Sequence, residues 1–269
     1  MKSLSKVYTS LIFLILYAPI AVMILFSFNS SNSTGVFTGF SLEWYAELFR
    51  DSATLEALKN TVVLAISSSC IATLIGTAAA VGISKFKSKY TQSAVNTVTN
   101  IPMMNPDIVT GISMMLLFVF VCAKLSLSQT LSFTTVLIAH ITFNLPYVIL
   151  SVMPKIQQMD KHLTEAAMDL GCTPFQAFCK VELPAILPGI ISGFIMAFTL
   201  SLDDVVISYF TTGNGFETLP IRIYSMTKKR VTPDMYALST LIFIAVLVLL
   251  ILSNVAQGDG KKKGRRATK

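Results

Sequence analysis

The chain has 269 residues, a formal net charge of +7, 53% hydrophobic residues, only 13% charged residues and a mean hydropathy of +0.67. An ordinary soluble domain carries roughly 25% charged residues, so a soluble globular fold is excluded and the chain reads as an integral membrane protein. Its apolar runs lack the period-two alternation of barrel strands, which leaves a helical bundle as the way to satisfy every backbone group in lipid.

Crossing a hydrocarbon core of about 30 Å takes roughly 20 helical residues. Runs of that kind lie at about 9–28, 61–83, 101–122, 131–153, 187–209 and 236–256, which predicts six spans in one membrane domain over 1–269. The first follows MKSLSK, exceeds the length of a signal-peptide core, contains Pro19 and is followed by no A-x-A-like site. It is therefore expected to be an anchor.

The distribution of Lys and Arg sets the orientation. With both termini cytoplasmic, the inner segments hold Lys2, Lys6, Lys85, Lys87, Lys89, Lys155, Lys161, Lys180 and the basic C-terminal run. Arg50, Lys59, Lys124, Arg222 and the 228–230 cluster are left outside. That cluster, close to the last span, runs against the rule.

Residues 29–60 open as a Ser/Asn/Gly loop and then turn amphipathic. SLEWYAELF predicts a short surface helix capped by Ser41, with Leu42, Tyr45, Ala46 and Phe49 on one face. In the third span, Pro102 and Pro106 beside Asp107 predict a kinked helix of the kind that lines a cavity. Counting about 1.5 Å per residue from Ser93, Asp107 stands about 21 Å into the membrane. In the fourth span His140 and Asn144 share a face at i and i+4, which predicts a hydrogen-bonded contact between helices, and Tyr147 follows Pro146.

The cytoplasmic stretch of about 160–186 breaks into two pieces. Thr164 is expected to cap a first helix over EAAMDL that stops at Gly171. Thr173 caps a second, with Pro174 in its first turn, and Leu183-Pro184 ends it. Ala166 and Ala167 are small enough for another backbone to approach, and Leu163 and Leu170 form an apolar ridge.

In the fifth span Asp203 and Asp204 stand side by side, Asp203 about 23 Å up from Pro188 by the same rise. Carboxylates inside a membrane cost about 2.5–3.5 kcal/mol on insertion scales, so Asp107, Asp203 and Asp204 are functional candidates. Adjacent on a helix, the two aspartates diverge by about 100° and only one can face a path. Gly111, Gly189 and Gly193 read as close-packing positions. Cys70, Cys122, Cys172 and Cys179 have no metal-site spacing and lie where disulfides are disfavoured. No G-x-x-x-x-G-K-[ST], dinucleotide fingerprint or H-E-x-x-H occurs, so no enzymatic role is expected.

Glu165-Ala166-Ala167, Gly171 and Val181-x-Leu183-Pro184 resemble the EAA loop of ABC importer permeases, with Val where the pattern has Ile. MNPDIVTGISMMLLF, HITFNLPYV, FTLSLDDVVISYFTTG and LPIRIYSMTKKRVTP extend the likeness to spermidine/putrescine importer permeases over essentially the whole chain. The resemblance implies a type I importer permease fold in a bacterial cytoplasmic membrane. It also implies that Glu165, Ala166, Ala167, Gly171, Leu183 and Pro184 dock a cytoplasmic ATPase.

Implied partners are a homologous second permease, two ATPase subunits, a soluble polyamine-binding protein outside, membrane lipid and the polyamine itself, with no nucleic acid. ATP and Mg2+ would belong to the ATPases, and this chain would need no cofactor. The likeness favours Asp203 over Asp204 as the residue facing the path, alongside Asp107. Trp44, Tyr147 and Tyr209 are candidate aromatic faces for ammonium groups and methylenes, with interface anchoring or helix packing as the alternatives. Two other readings stay open: an importer for another solute, such as a neutral sugar, and an ion-coupled secondary transporter, which would need no ATPase-docking loop.

Overall fold

A computed structural model describes residues 2–31, 36–86, 88–126, 131–160, 162–213, 215–228 and 233–266, without the side chains of 2–5, 89, 249–250 and 252–266. Lys87, Lys161, Lys229, Arg230 and the side chains of the basic C-terminal run, all used above for orientation, lie outside the described residues.

The first span is α1 (Lys2–Phe26), which packs on the last helix and has no buried residue in its apolar window. The short α2 (Glu43–Leu48) follows. The Ser41 hydroxyl accepts the Glu43 amide, but the N-cap position is Leu42, and Ser41, one residue further out, does not cap the helix as expected. The buried face of α2 is Trp44, Tyr45 and Leu48, whereas Leu42 and Phe49 are exposed. The predicted face is thus rotated, because the helix starts one residue later and packs on the start of the last helix.

The next helix, α3 (Ser52–Ser84), opens on Asp51, whose carboxylate accepts the Ala53 amide. It buries a stripe of small residues: Ala57, Thr61, Ala65, Ser68, Ala72, Gly76 and Ala80. Lipid tails supply no hydrophobic drive between helices, so close backbone approach along such a stripe has to provide the packing.

The third span is not a single kinked helix. It consists of α4 (Lys89–Met104) and α5 (Asp107–Lys124), separated where Asn105 and Pro106 are extended. The residue before a proline is pushed out of the helical region, which turns the expected kink into a full break. The depth count from Ser93 therefore fails for Asp107, which opens a new helix.

The centre of the bundle is α6 (Phe133–Gln158), packed between α3 and α9 (Leu183–Asp203). Its ridge at Val148–Val152 fits glycine notches on both sides. A Cβ on Gly76 would come 2.8 Å from Val148, one on Gly189 would come 2.9 Å from the Ser151 carbonyl, and one on Gly193 would come 3.2 Å from Val148 Cα. Gly189 and Gly193 are thus the close-packing positions expected, as is Gly111 against Phe210. Polar contacts run along the same helix: Asn144 donates to Ser201, and Ser201 pairs with Ser68 of α3.

Between α6 and α9 come α7 (His162–Asp169), α8 (Pro174–Ala177) and a π-helical turn, Phe178–Glu182, that runs directly into α9. Leu183-Pro184 does not end the second coupling helix. The π turn lets the Leu183 amide reach the Phe178 carbonyl, which passes the chain through Pro184 without a stop. One helix therefore runs Pro174–Asp203.

The fifth span also ends earlier than predicted. Asp204 is extended and α10 (Val206–Thr211) starts afresh. After it, α11 (Leu219–Thr227) tucks Leu219, Pro220 and Ile221 inward, and α12 (Pro233–Arg266) closes the bundle. Among the described residues, five helices are long and apolar enough to cross a membrane, and α12 is apolar over Pro233–Val248.

At the end of the bundle away from α7, α11 is tied to α3. Arg222 Nη2 lies 2.6 Å from Asp51 Oδ2, Nη1 3.6 Å from Glu217, and Nε donates to Thr54 at 2.8 Å. The hydrogen bond from Thr54, aided by the Arg222 guanidinium, holds the Asp51 carboxyl below its ordinary pKa.

Two consequences can be measured by thermal unfolding of the purified protein. Gly189→Ala must displace α6 backbone and is expected to cost about 1–3 kcal/mol, whereas Gly82→Ala, with nothing within 4 Å of the new Cβ, should be neutral or slightly stabilising. Asp51→Asn keeps a capping oxygen but removes the charge. Because the folded pKa is lowered, the advantage of wild type over this variant should be complete above about pH 4. It should then shrink as pH falls through the depressed folded value.

Candidate functional site

Two regions carry the predicted chemistry, one at each end of the Pro174–Asp203 helix. The first is the 160–186 stretch, expected from the sequence to couple to an ATPase. Its leading helix begins earlier than expected, at His162, because Asp160 accepts the His162 amide at 3.0 Å. Thr164 is therefore inside the helix, and its hydroxyl instead donates to Glu182 at 3.0 Å. Glu182, little exposed, also meets Lys85 at the foot of α3, 3.9 Å away.

The helix stops where the sequence requires it to. Gly171 has φ +90, the Cys172 amide reaches the Ala167 carbonyl and the Gly171 amide reaches that of Met168, which is a Schellman ending. Thr173 and Gln176 then form a reciprocal capping box, with Pro174 in the first turn. Glu165 and Ala166 face out while Ala167 is buried against the loop's own body. His162 Nδ1 sits 3.2 Å from Glu165, on the open side. Leu170 (87% exposed) and Phe175 (74%) stand either side of Gly171 with nothing over them, while Leu183 is half-buried and Pro184 exposed. Polar edge, small residues and two bare apolar side chains make a surface shaped for another protein. Phe175 is a member that sequence reasoning missed; a large apolar residue straight after a capped proline was its signal.

The second region is where two helices break side by side. Gly111 of α5 lies against Phe210 and the Val206 carbonyl, so the start of α5 runs alongside the start of α10. Asp107 occupies the first turn of α5, where the helix dipole favours a carboxylate. Beside this break, Pro102, Asn105, Thr110, Ser113, Thr142 and Phe143 line a cavity of about 300 Å³.

Asp203 and Asp204 have separate surroundings, since the chain leaves the helix between them. Asp204 accepts the amides of Ile207 (3.2 Å) and Ser208 (2.7 Å), and His140 Nε2 approaches it to 3.4 Å. His140 also bonds Ser208 Oγ at 2.9 Å, so the expected contact between helices is present. With its side chain 8% exposed, Asp204 is occupied in holding α6 to the start of α10. Asp203 is exposed at the end of α9 and, among the described residues, has no cationic partner. The last carbonyls of a helix also lack partners, so Asp203 and that helix end together present a cation-attracting surface.

The aromatic candidates do not converge on one point. Trp44 is half-buried, with its indole N–H donated to the Asn29 carbonyl at 2.6 Å and its ring packed in the cluster of α2, α3 and α12. Tyr147 stacks edge-on with Phe143. Tyr209, 50% exposed, meets Phe210 and Tyr224. The His140–Asp204–Ser208 link was beyond sequence reasoning as a unit, although each member lies in a segment singled out there.

Comparison with known proteins fits this geometry. Residues 72–258 match the family described as binding-protein-dependent transport system inner membrane component. The chain is 39% identical over 234 residues to the putrescine transport system permease protein PotI of Escherichia coli (strain K12), covering 87% of this chain and 83% of that one. It is 38% identical over 253 residues to the spermidine/putrescine transport system permease protein PotC of the same strain, covering 94% and 93%.

Among solved structures, a bacterial ABC transporter involved in the import of the acidic polysaccharide alginate has a chain that superposes with a TM-score of 0.72 at 18% identity, over 98% of this chain and 95% of that one. The MetNI methionine ABC transporter gives 0.55 at 18%, over 80% and 96%. At such identities the likeness concerns the fold alone. An all-helical bundle, apolar helices of membrane-spanning length, a family match over most of the chain and relatives near 40% identical agree: the chain is a multi-pass membrane permease of the binding-protein-dependent transport system inner membrane component family, with the fold of ABC importer permeases.

Proposed function

We propose that this chain is the permease subunit of an ATP-driven importer of polyamines. The observation that carries the reading is 38–39% identity, over 87–94% of the chain, to permeases named for putrescine and for spermidine with putrescine. The chemistry of the second region supports it. A polyamine presents ammonium groups separated by methylenes, and an unpaired Asp203 at a helix end, Asp107 at the neighbouring break and the aromatic faces of Tyr147, Tyr209 and Trp44 suit that pattern. An oxyanion path would call for Lys or Arg within the spans, and their interiors hold none.

In this reading the chain pairs with a homologous second permease, and the two enclose the path. One of two ATPase subunits docks on Glu165, Ala166, Ala167, Gly171 and the foot of α9 at Leu183 and Pro184, and the pair supplies the ATP and Mg2+ chemistry. A soluble polyamine-binding protein delivers substrate at the other face. Both termini lie on the cytoplasmic side of a bacterial inner membrane, as the basic residues suggest.

The transmission is mechanical. Movement of the docked ATPase reaches α7, passes through Thr164 to Glu182, and enters the Pro174–Asp203 helix, which is about 45 Å long at 1.5 Å per residue. Its far end is the break beside Asp203. Displacement of the loop therefore moves the carboxylate relative to α10, which Asp204 and His140 hold to α6.

Two experiments test the proposal. Glu165→Lys, or Gly171→Leu at a φ where a β-carbon is strained, should reduce uptake at least tenfold with membrane abundance unchanged. Normal ATP-driven uptake by both variants would discard the docking role. Asp107→Asn, Asp203→Asn and the double variant should lose polyamine uptake, and the double variant should impair a triamine more than a diamine. Wild-type uptake of both substrates by the double variant would remove the cation path, and a larger defect in Asp204→Asn with normal folding would transfer Asp203's role to its neighbour.

A further inference from the structure

On the face opposite the coupling loop, one cation is held in an unusual way. Lys228 ends α11, four residues after Tyr224, so the two share a helix face. Its ammonium lies 4.5 Å from the centre of the Tyr224 ring and 5.8 Å from that of Tyr209, which comes from a different helix, α10. The rings are 6.2 Å apart and inclined at 79°, so they form two walls of an open corner around the charge.

The nearby acids do not compete for it. Asp51 and Glu217 are engaged by Arg222, and among the described residues no carboxylate is within ion-pair distance of Lys228. A surface lysine at a helix end would ordinarily remain hydrated or pair with an acid. Here the tyrosine corner takes it, and both rings keep open area, with Tyr209 50% and Tyr224 42% exposed. Two aromatic faces around one ammonium are the recognition principle for alkylammonium ligands in general. A lysine side chain, four methylenes ending in an ammonium, has the chemistry of one half of a diamine.

We propose that Tyr209 and Tyr224 form an alkylammonium site at the outer mouth, and that Lys228 is its resident occupant, displaced by an ammonium group of the arriving substrate. The inference rests on the polyamine reading for the identity of that substrate. The tethered lysine sets the concentration at which the site fills, because each incoming ammonium competes with a charge already on the rings. Tyr209 stands five residues beyond Asp204 on the helix that Asp204 anchors, which places the site next to the break that ends in Asp203.

The test is equilibrium binding of labelled putrescine to the assembled transporter in lipid nanodiscs, without the binding protein, on variants of matched thermal stability. Lys228→Met keeps the stem and removes the charge. It should bind putrescine about 2- to 5-fold more tightly than wild type, the factor expected for one exposed cation–π contact. Lys228→Arg should not tighten binding. Tyr209→Leu with Tyr224→Leu should weaken binding, and adding Lys228→Met to that pair should then change nothing.

Unchanged or weaker binding by Lys228→Met, a gain that persists without the tyrosines, or no saturable binding by any variant would each overturn the site. Polyamine uptake by cells carrying the wild-type transporter is the separate control. Its absence would count against the polyamine reading, whichever way the binding experiment falls.

Discussion

A helix that stops inside a bilayer leaves amides and carbonyls that lipid cannot satisfy, each at a cost of several kcal/mol. The Asp204 carboxylate answers half of that problem. By taking the amides of Ile207 and Ser208 it caps α10, and by meeting His140 it ties the cap to α6, the helix at the bundle's centre. The other half, the carbonyl end of α9, has Asp203 beside it and no partner for that charge among the described residues. Capping and exposure are thus divided between two adjacent aspartates. The arrangement needs the chain to leave the helix between them, since neighbours on an unbroken helix would differ only in azimuth. Gly111 then lets α5 come close enough to place its own break alongside.

The same division explains why the bundle tolerates polar residues within it. Asn144, Ser201 and Ser68 form a chain of hydrogen bonds across three helices, although the Asn144 Oδ1 and the hydroxyls of Thr73, Thr77 and Thr240 are buried without a partner. The glycine notches around Val148–Val152 bring the backbones near enough for such short side chains to reach. Close packing and polar pairing are here one feature of the sequence: small residues at i and i+4 do both.

Much of this was legible before the coordinates. Apolar runs located the helices, and the EAA loop could be read nearly residue by residue, because Gly171, Thr173 and Pro174 are local signals whose geometry depends on their neighbours alone. The errors occurred where a local signal was ambiguous or overridden. Thr164 has a cap's side chain, but Asp160 accepts the His162 amide and the helix starts at His162, while the threonine bonds Glu182. Pro106 was read as a kink and is a break. The interruption after Asp203 has no proline or glycine to mark it, and only an aspartate ahead of Val-Val-Ile hints at a new cap. Trp44 was legible as an interfacial aromatic, but its partner, the Asn29 carbonyl, is set by the fold of a loop. Pro184 misled for a different reason, since a π turn is a property of hydrogen-bond register and no residue type announces it.

That turn also fixes an angle. Phe178–Glu182 advances fewer degrees per residue than an α-helix, so it sets the azimuth between the start of the helix at Pro174 and Asp203 at its far end. Removing one residue there would restore ordinary α geometry and leave both ends chemically intact. It would also leave them nearly in phase, because five residues at the smaller π-helical step of about 80° turn about as far as four at the α-helical step of about 100°. A one-residue gap is thus absorbed at this turn, whereas the same gap within Leu183–Asp203 would rotate one end of the helix against the other by about 100°.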